Sequence, residues 1–171
     1  MATTYELIAS SVVGSGGAAS ITFSSVPATF TDLLVHVSAR TSRASNGDYI
    51  LLSLNSAQAN SGRSLWGYGT TVVSGTATNN ILIVPGATAT ASTFSTIEIY
   101  IPNYTSTTNK SVSTTSSAED NAASSQGNSA GALLWSSGSA SSGAVTSVTL
   151  TGRFNAFVVF SSAYLYGITK A

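Results

Sequence analysis

Thr31-Asp32-Leu33-Leu34-Val35-His36-Val37-Ser38-Ala39-Arg40 decides the fold class of this chain. Leu33, Val35, Val37 and Ala39 fall on one side of an extended segment, and Leu34, His36, Ser38 and Arg40 on the other, a period of two with one dry face. Residues 95–101 repeat the pattern, with Ile97, Ile99 and Ile101 inward and Thr96, Glu98 and Tyr100 outward. Working outward from these two, residues 20–24, 48–55, 64–74, 81–84, 111–117, 145–151 and 157–168 also read as strands bounded by turn residues. The core is expected to include Leu33, Val35, Val37, Ile97, Ile99, Val148 and Leu150.

Turn chemistry separates the strands. Gly14-Ser15-Gly16-Gly17, Asn46-Gly47-Asp48, Gly67-Tyr68-Gly69, Pro85-Gly86 and Pro102-Asn103 supply positive or fixed φ. Helix signals are missing, because Ser, Thr, Gly and β-branched residues stand where a helix wants Ala, Leu, Glu and Lys. Short strands at this spacing predict an all-β chain, a sandwich or closed barrel. The 171 residues form one domain, with an N-terminal arm over 1–5 and a Ser/Gly-rich connection over 118–143. Leu133-Leu134-Trp135 interrupts that connection and reads as a short strand or anchor pinning an otherwise long loop.

Only six basic and six acidic residues are present, and formal net charge is zero. About a third of the chain is Ser or Thr, interleaved with a 43% hydrophobic content, which separates it from a disordered segment. A hydroxyl surface with little charge repels neighbours weakly and suits life packed against other proteins. Arg40, Arg43, Arg63, Lys110, Arg153 and Lys170 are scattered, so no footprint for a phosphate backbone is expected. No membrane-spanning helix is expected, since every apolar run is soon broken, and Glu6 interrupts any signal-peptide pattern. Cysteine is absent, which excludes disulfides and thiolate zinc sites.

The inventory for catalysis is thin, and no enzyme, cofactor or metal site is expected. His36, the one histidine, lies mid-strand with no Gly-x-Ser-x-Gly elbow elsewhere to serve. Glu119-Asp120 reads as a solvated turn, and no spacing among Glu6, Asp32, Asp48, Glu98, Glu119 and Asp120 singles out a catalytic pair. The glycine-rich Gly14 to Gly17 lacks the Lys-Ser/Thr of a phosphate loop. Trp66 with Tyr68, and Tyr100 with Tyr104, could form an aromatic platform for a sugar, although core or hairpin packing explains them more cheaply.

Tyr5-Glu6-Leu7-Ile8, the run from Ile21 through Val26-Pro27 and Phe30-Thr31-Asp32-Leu33, Ser38-Ala39-Arg40, Ile101-Pro102-Asn103-Tyr104, Lys110-Ser111 and Tyr164-Leu165-Tyr166-Gly167-Ile168 form an ordered combination. It resembles a family of small virion structural proteins of tailed bacteriophages, frequent in phages of cyanobacteria and other aquatic bacteria. The chain departs from that pattern at Val26 and at Ser162-Ala163. The resemblance implies a β-sandwich of jelly-roll type, made in the host cytoplasm and carried on the virion. The expected role is a capsid decoration or cement protein that binds the major capsid protein and itself as a homo-oligomer, a trimer first. A tail or fibre protein, or a carbohydrate-binding receptor-recognition module, is the alternative. Partner contacts are expected from Ala2, Thr3, Thr4 and Tyr5 in the arm and from Leu133, Leu134 and Trp135 in the long connection.

Overall fold

The computed structural model describes residues 4–68, 70–76, 82–119, 127–136 and 143–169. Among these there is no helix, and all strand pairs are antiparallel. The strands are β1 (Tyr5–Val12), β2 (Ser20–Phe23), β3 (Asp32–Ser38), β4 (Gly47–Leu54), β5 (Ala57–Gln58), β6 (Ser61–Tyr68) and β7 (Thr71–Thr76). The second half supplies β8 (Leu82–Pro85), β9 (Thr96–Ile101), β10 (Lys110–Ser117), β11 (Asn128–Trp135), β12 (Val148–Gly152) and β13 (Ser162–Ile168).

They build two sheets. The larger has eight strands in the order β1-β13-β3-β9-β10-β11-β6-β7; the smaller has five, β2-β12-β4-β5 with β8 also paired to β4. Two dry faces meet between them. Leu33, Val35 and Val37 of β3, Ile97 and Ile99 of β9, and Val148 and Leu150 of β12 are all at most 3% exposed, as the alternation requires. Phe23, Ile50, Leu52, Leu54, Leu82, Val84 and Leu165 complete the same core.

Three expected segments come out differently. Residues 64–74 are not one strand but the β6–β7 hairpin, reversing between Tyr68 and Thr71. Residues 157–160 do not extend β13; Phe157 bridges to Ala18 and Thr41, and the chain then turns. The 118–143 connection contains a regular eight-residue strand, β11, between β10 and β6, so the long loop is in fact two shorter connections. Of the arm over 1–5 the structure describes Thr4 and Tyr5, and Tyr5 opens β1, which is hydrogen-bonded along β13.

Buried polar groups tie several of the strand ends together. Asp32, fully buried, accepts from the Tyr100 hydroxyl at 2.7 Å and from the Asn103 amide at 2.8 Å. The buried Tyr104 hydroxyl donates to the Pro27 carbonyl and accepts from the Phe30 amide. Lys110 is 1% exposed and donates to the carbonyls of Ser106 and Thr108 at 2.8 and 2.5 Å. Burial lowers its ammonium pKa. Gly167 is needed here because the Phe30 ring lies where a side chain would go, about 2.3 Å from an added Cβ. Gly167→Ala is therefore expected to cost about 1 to 3 kcal/mol in chemical denaturation by displacing Phe30. An unchanged unfolding midpoint would show that the ring gives way freely.

Candidate functional site

The outward alternation of β3 assembles a patch that spans four strands. Leu34 stands between Tyr166 of β13 and Tyr100 of β9, and His36 between Tyr164 and Glu98. On the far side of β13, Leu7 pairs with Tyr166 and Tyr5 with Ile168. Tyr5, Leu34, His36, Glu98 and Tyr166 line an open depression of about 350 Å³. His36 Nε2 lies 3.9 Å from Glu98 Oε2, and both side chains are about half exposed. The edge of the His36 imidazole meets the Tyr166 ring at 5.9 Å and 78°.

Beside this patch the Tyr100 phenol is pushed up to about 12, first by its hydrogen bond to Asp32, then by burial and by the charges of Asp32 and Tyr5. The proton is thus held more tightly in the folded chain than in the unfolded one. The resulting stabilisation is complete below about pH 10, the unfolded value, and is lost as pH rises from about 10 through about 12. Urea denaturation across this window should show a fall in stability that is smaller in Tyr100→Phe. Equal pH slopes in the two proteins would contradict the coupling to Asp32.

Among the described residues, the opposite half of the same face is uncharged apart from Arg63. Arg63, Leu65, Ser74, Thr76 and Ala130 surround a second shallow depression, of about 610 Å³. Leu65 is 53% exposed, and Val72 on the edge strand β7 is 74% exposed. Both edges of the large sheet therefore carry exposed apolar side chains, since β1 presents Tyr5, Leu7 and Val12. A register shift between Leu7 and Ala9 interrupts the β1 ladder, a device that blunts an edge.

Two exposed aromatics sit where β12 ends and β13 begins. Phe154 has the Arg43 guanidinium over its ring at 4.0 Å and Arg153 at 4.7 Å. Phe160 has φ of 71° and is 72% exposed. A bulky residue in the left-handed region costs conformational energy, and here its ring is not repaid by burial. The backbone around it is fixed, because the Phe160 amide donates to the Val13 carbonyl at 3.0 Å and the Val13 amide to Ser161 at 2.8 Å. Phe160 thus stands next to the end of β1.

The expected contact residues separate in the structure. Ala2 and Thr3 lie outside the described residues. Thr4 is exposed, with its carbonyl accepting from the Thr169 amide, and Tyr5 is exposed at the sheet edge. The triplet splits by strand alternation: Leu134 faces solvent, whereas Leu133 and Trp135 are 4% and 0% exposed. Trp135 donates from Nε1 to the Ala57 carbonyl at 2.8 Å, tying the large sheet to the small one. Leu133 and Trp135 are therefore core residues, and Leu134 is the exposed one of the three. Tyr104 is also core, so it forms no platform with Tyr100.

Sequence reasoning missed the grouping of Tyr5, Tyr166, His36 and Glu98, which depends on long-range register. It also missed the exposure of Phe160, for which the only signal was the unusual Phe157-Val158-Val159-Phe160 run. Among the described residues, no cluster of three or more His, Cys, Asp or Glu could hold a metal ion. Comparison of the chain with protein-family models, curated proteins and solved structures yields no match.

Proposed function

We propose that this chain is a non-enzymatic virion structural protein of a tailed bacteriophage, a decoration or cement protein seated on the outside of the capsid. The observation that carries the reading is Phe160, an exposed ring held at positive φ beside the exposed Val12 of an edge strand. Strain kept at a surface position points to a surface that is used. The apolar side chains at the far edge, Leu65, Val72 and Val73, give the same sheet a second docking margin. One copy can thereby touch two neighbours, the major capsid protein and another copy of itself, and many modest contacts add up by avidity. A homotrimer is the oligomer proposed.

The topology supports a jelly-roll reading. Within the larger sheet runs the order β1-β13-β3-β9, and β4 joins β12 to β8 in the smaller, giving β2-β12-β4-β8. Eight strands shared between two sheets in this interleaved order are what two Greek keys produce, an arrangement that viral capsid and lectin domains employ. On this reading β6, β7, β10 and β11 are insertions that widen the larger sheet, and β5 is a short addition to the smaller.

Phe160→Gly tests the proposal, because glycine tolerates the positive φ and the ring contributes little to the core. Stability should stay within about 1 kcal/mol of the parent, while occupancy on capsids falls. Particles lacking the protein should burst more readily on heating or osmotic shock, and light scattering should give the mass of a trimer. Copies confined to the tail, with capsid strength unchanged in their absence, would favour the tail or fibre alternative.

A further inference from the structure

We propose that the depression formed by Tyr5, Leu34, His36, Glu98 and Tyr166 is a binding site for one ring of a neutral saccharide. The inference does not depend on where the protein sits on a particle. A sugar ring offers an apolar C–H face and a rim of hydroxyls, and the depression has a counterpart for each. Tyr5 is 54% exposed and Tyr166 is only partly buried, so ring surface is accessible on both, with Leu34 forming a buried apolar floor. At the rim, His36 and Glu98 are 47% and 52% exposed and their polar atoms lie 3.9 Å apart, beyond hydrogen-bonding distance of each other. Two adjacent hydroxyls can bridge such a pair, one donating to the carboxylate and its neighbour bonding the imidazole nitrogen.

Charge and shape narrow the ligand class. Among the described residues, His36 is the only basic side chain lining the depression, and Glu98 stands beside it, so an anionic ligand such as a phosphate or a uronic acid meets a carboxylate. An organic ammonium would be attracted by Glu98 and the rings, but cation–π attraction at an exposed site is worth only about 0.5 to 1 kcal/mol. The depression is open rather than a closed cage. A volume of about 350 Å³ is at the small end for ligand sites and suits one ring rather than an extended chain. The two tyrosines and the histidine are carried on three strands of one sheet, whose backbone ladders fix their spacing before any ligand arrives.

The test is a nuclear magnetic resonance titration of the full chain with the methyl glycosides of glucose, galactose, mannose, rhamnose and N-acetylglucosamine, with glucuronic acid and choline as competitors in class. At least one neutral glycoside should shift the resonances of His36, Glu98 and Tyr166 saturably. His36→Ala and Glu98→Ala should each weaken that binding about tenfold or more, as loss of a hydrogen bond to the imidazole or to the carboxylate acceptor predicts. Leu65→Ser, on the far half of the same face, should leave it unchanged. Absence of saturable shifts with every neutral glycoside, saturation by choline or glucuronic acid alone, or glycoside binding retained in both rim variants would each overturn the proposal.

Discussion

Trp135→Ala is expected to lower stability by about 3 to 5 kcal/mol in urea or thermal denaturation. The side chain is completely buried, and its removal opens a large void between the two sheets. It also strips the Ala57 carbonyl of the indole donor that connects β11 to β5. Trp135→Phe keeps most of the volume but not the donor, so it should lose much less, about 1 to 3 kcal/mol. A loss below about 1 kcal/mol for the alanine variant would mean that the sheets close over the gap, and that β11 is not the anchor described here.

Arg40→Met should be comparably damaging, at about 3 kcal/mol or more, although it exchanges a charged side chain for an apolar one of similar length. Arg40 is 8% exposed, and its guanidinium donates to four carbonyls of the β8–β9 connection: Ala87, Ala89, Thr90 and Thr93. It bonds the Thr93 hydroxyl as well. Methionine can fill the space but cannot donate to these carbonyls, of which Thr90 keeps the Thr93 hydroxyl. Faster hydrogen exchange over residues 86–95 should accompany the loss. Unaltered exchange there, with a normal unfolding midpoint, would show that the loop holds its shape unaided.

The central strands were legible in the sequence because their burial is apolar and alternate. β3, β9 and β12 each place Val, Ile or Leu at every second position, and no other arrangement buries them together. β1 and β11 escaped the same test for different reasons. β1 lies at an edge and buries only parts of Ile8, Ala9 and Ser11, so its sequence has little period to show. β11 buries Ser129 along with Leu133 and Trp135, and the Ser129 hydroxyl finds the Ser116 hydroxyl of β10 at 2.6 Å. Paired hydroxyls satisfy burial without apolar residues, and a Ser-rich strand then looks like a linker. Lys110 is masked in the same way, as a buried cation whose donors end on nearby carbonyls.

Legibility of the candidate site followed the same division. The outward positions of His36 and Glu98 follow from alternation within single strands. Their proximity to Tyr5 and Tyr166 follows from pairings between strands more than a hundred residues apart, which a local pattern does not encode. Phe160 was hidden by its own composition. Alternating Phe and Val fit a strand, but the turn tied to Val13 and Arg40 takes precedence over that propensity.

The width of the large sheet has a geometric consequence. Its two apolar margins, β1 and β7, are separated by seven inter-strand steps, and at about 4.8 Å per step the sheet measures roughly 34 Å from edge to edge before twist shortens it. That distance is set by covalent topology and backbone ladders rather than by side chains, so it is the same in every copy. A lattice gripped at both margins would be held to that spacing, with each molecule acting as a ruler between its neighbours. Any change in the number of strands between β1 and β7 would alter that spacing in whole steps of about 4.8 Å.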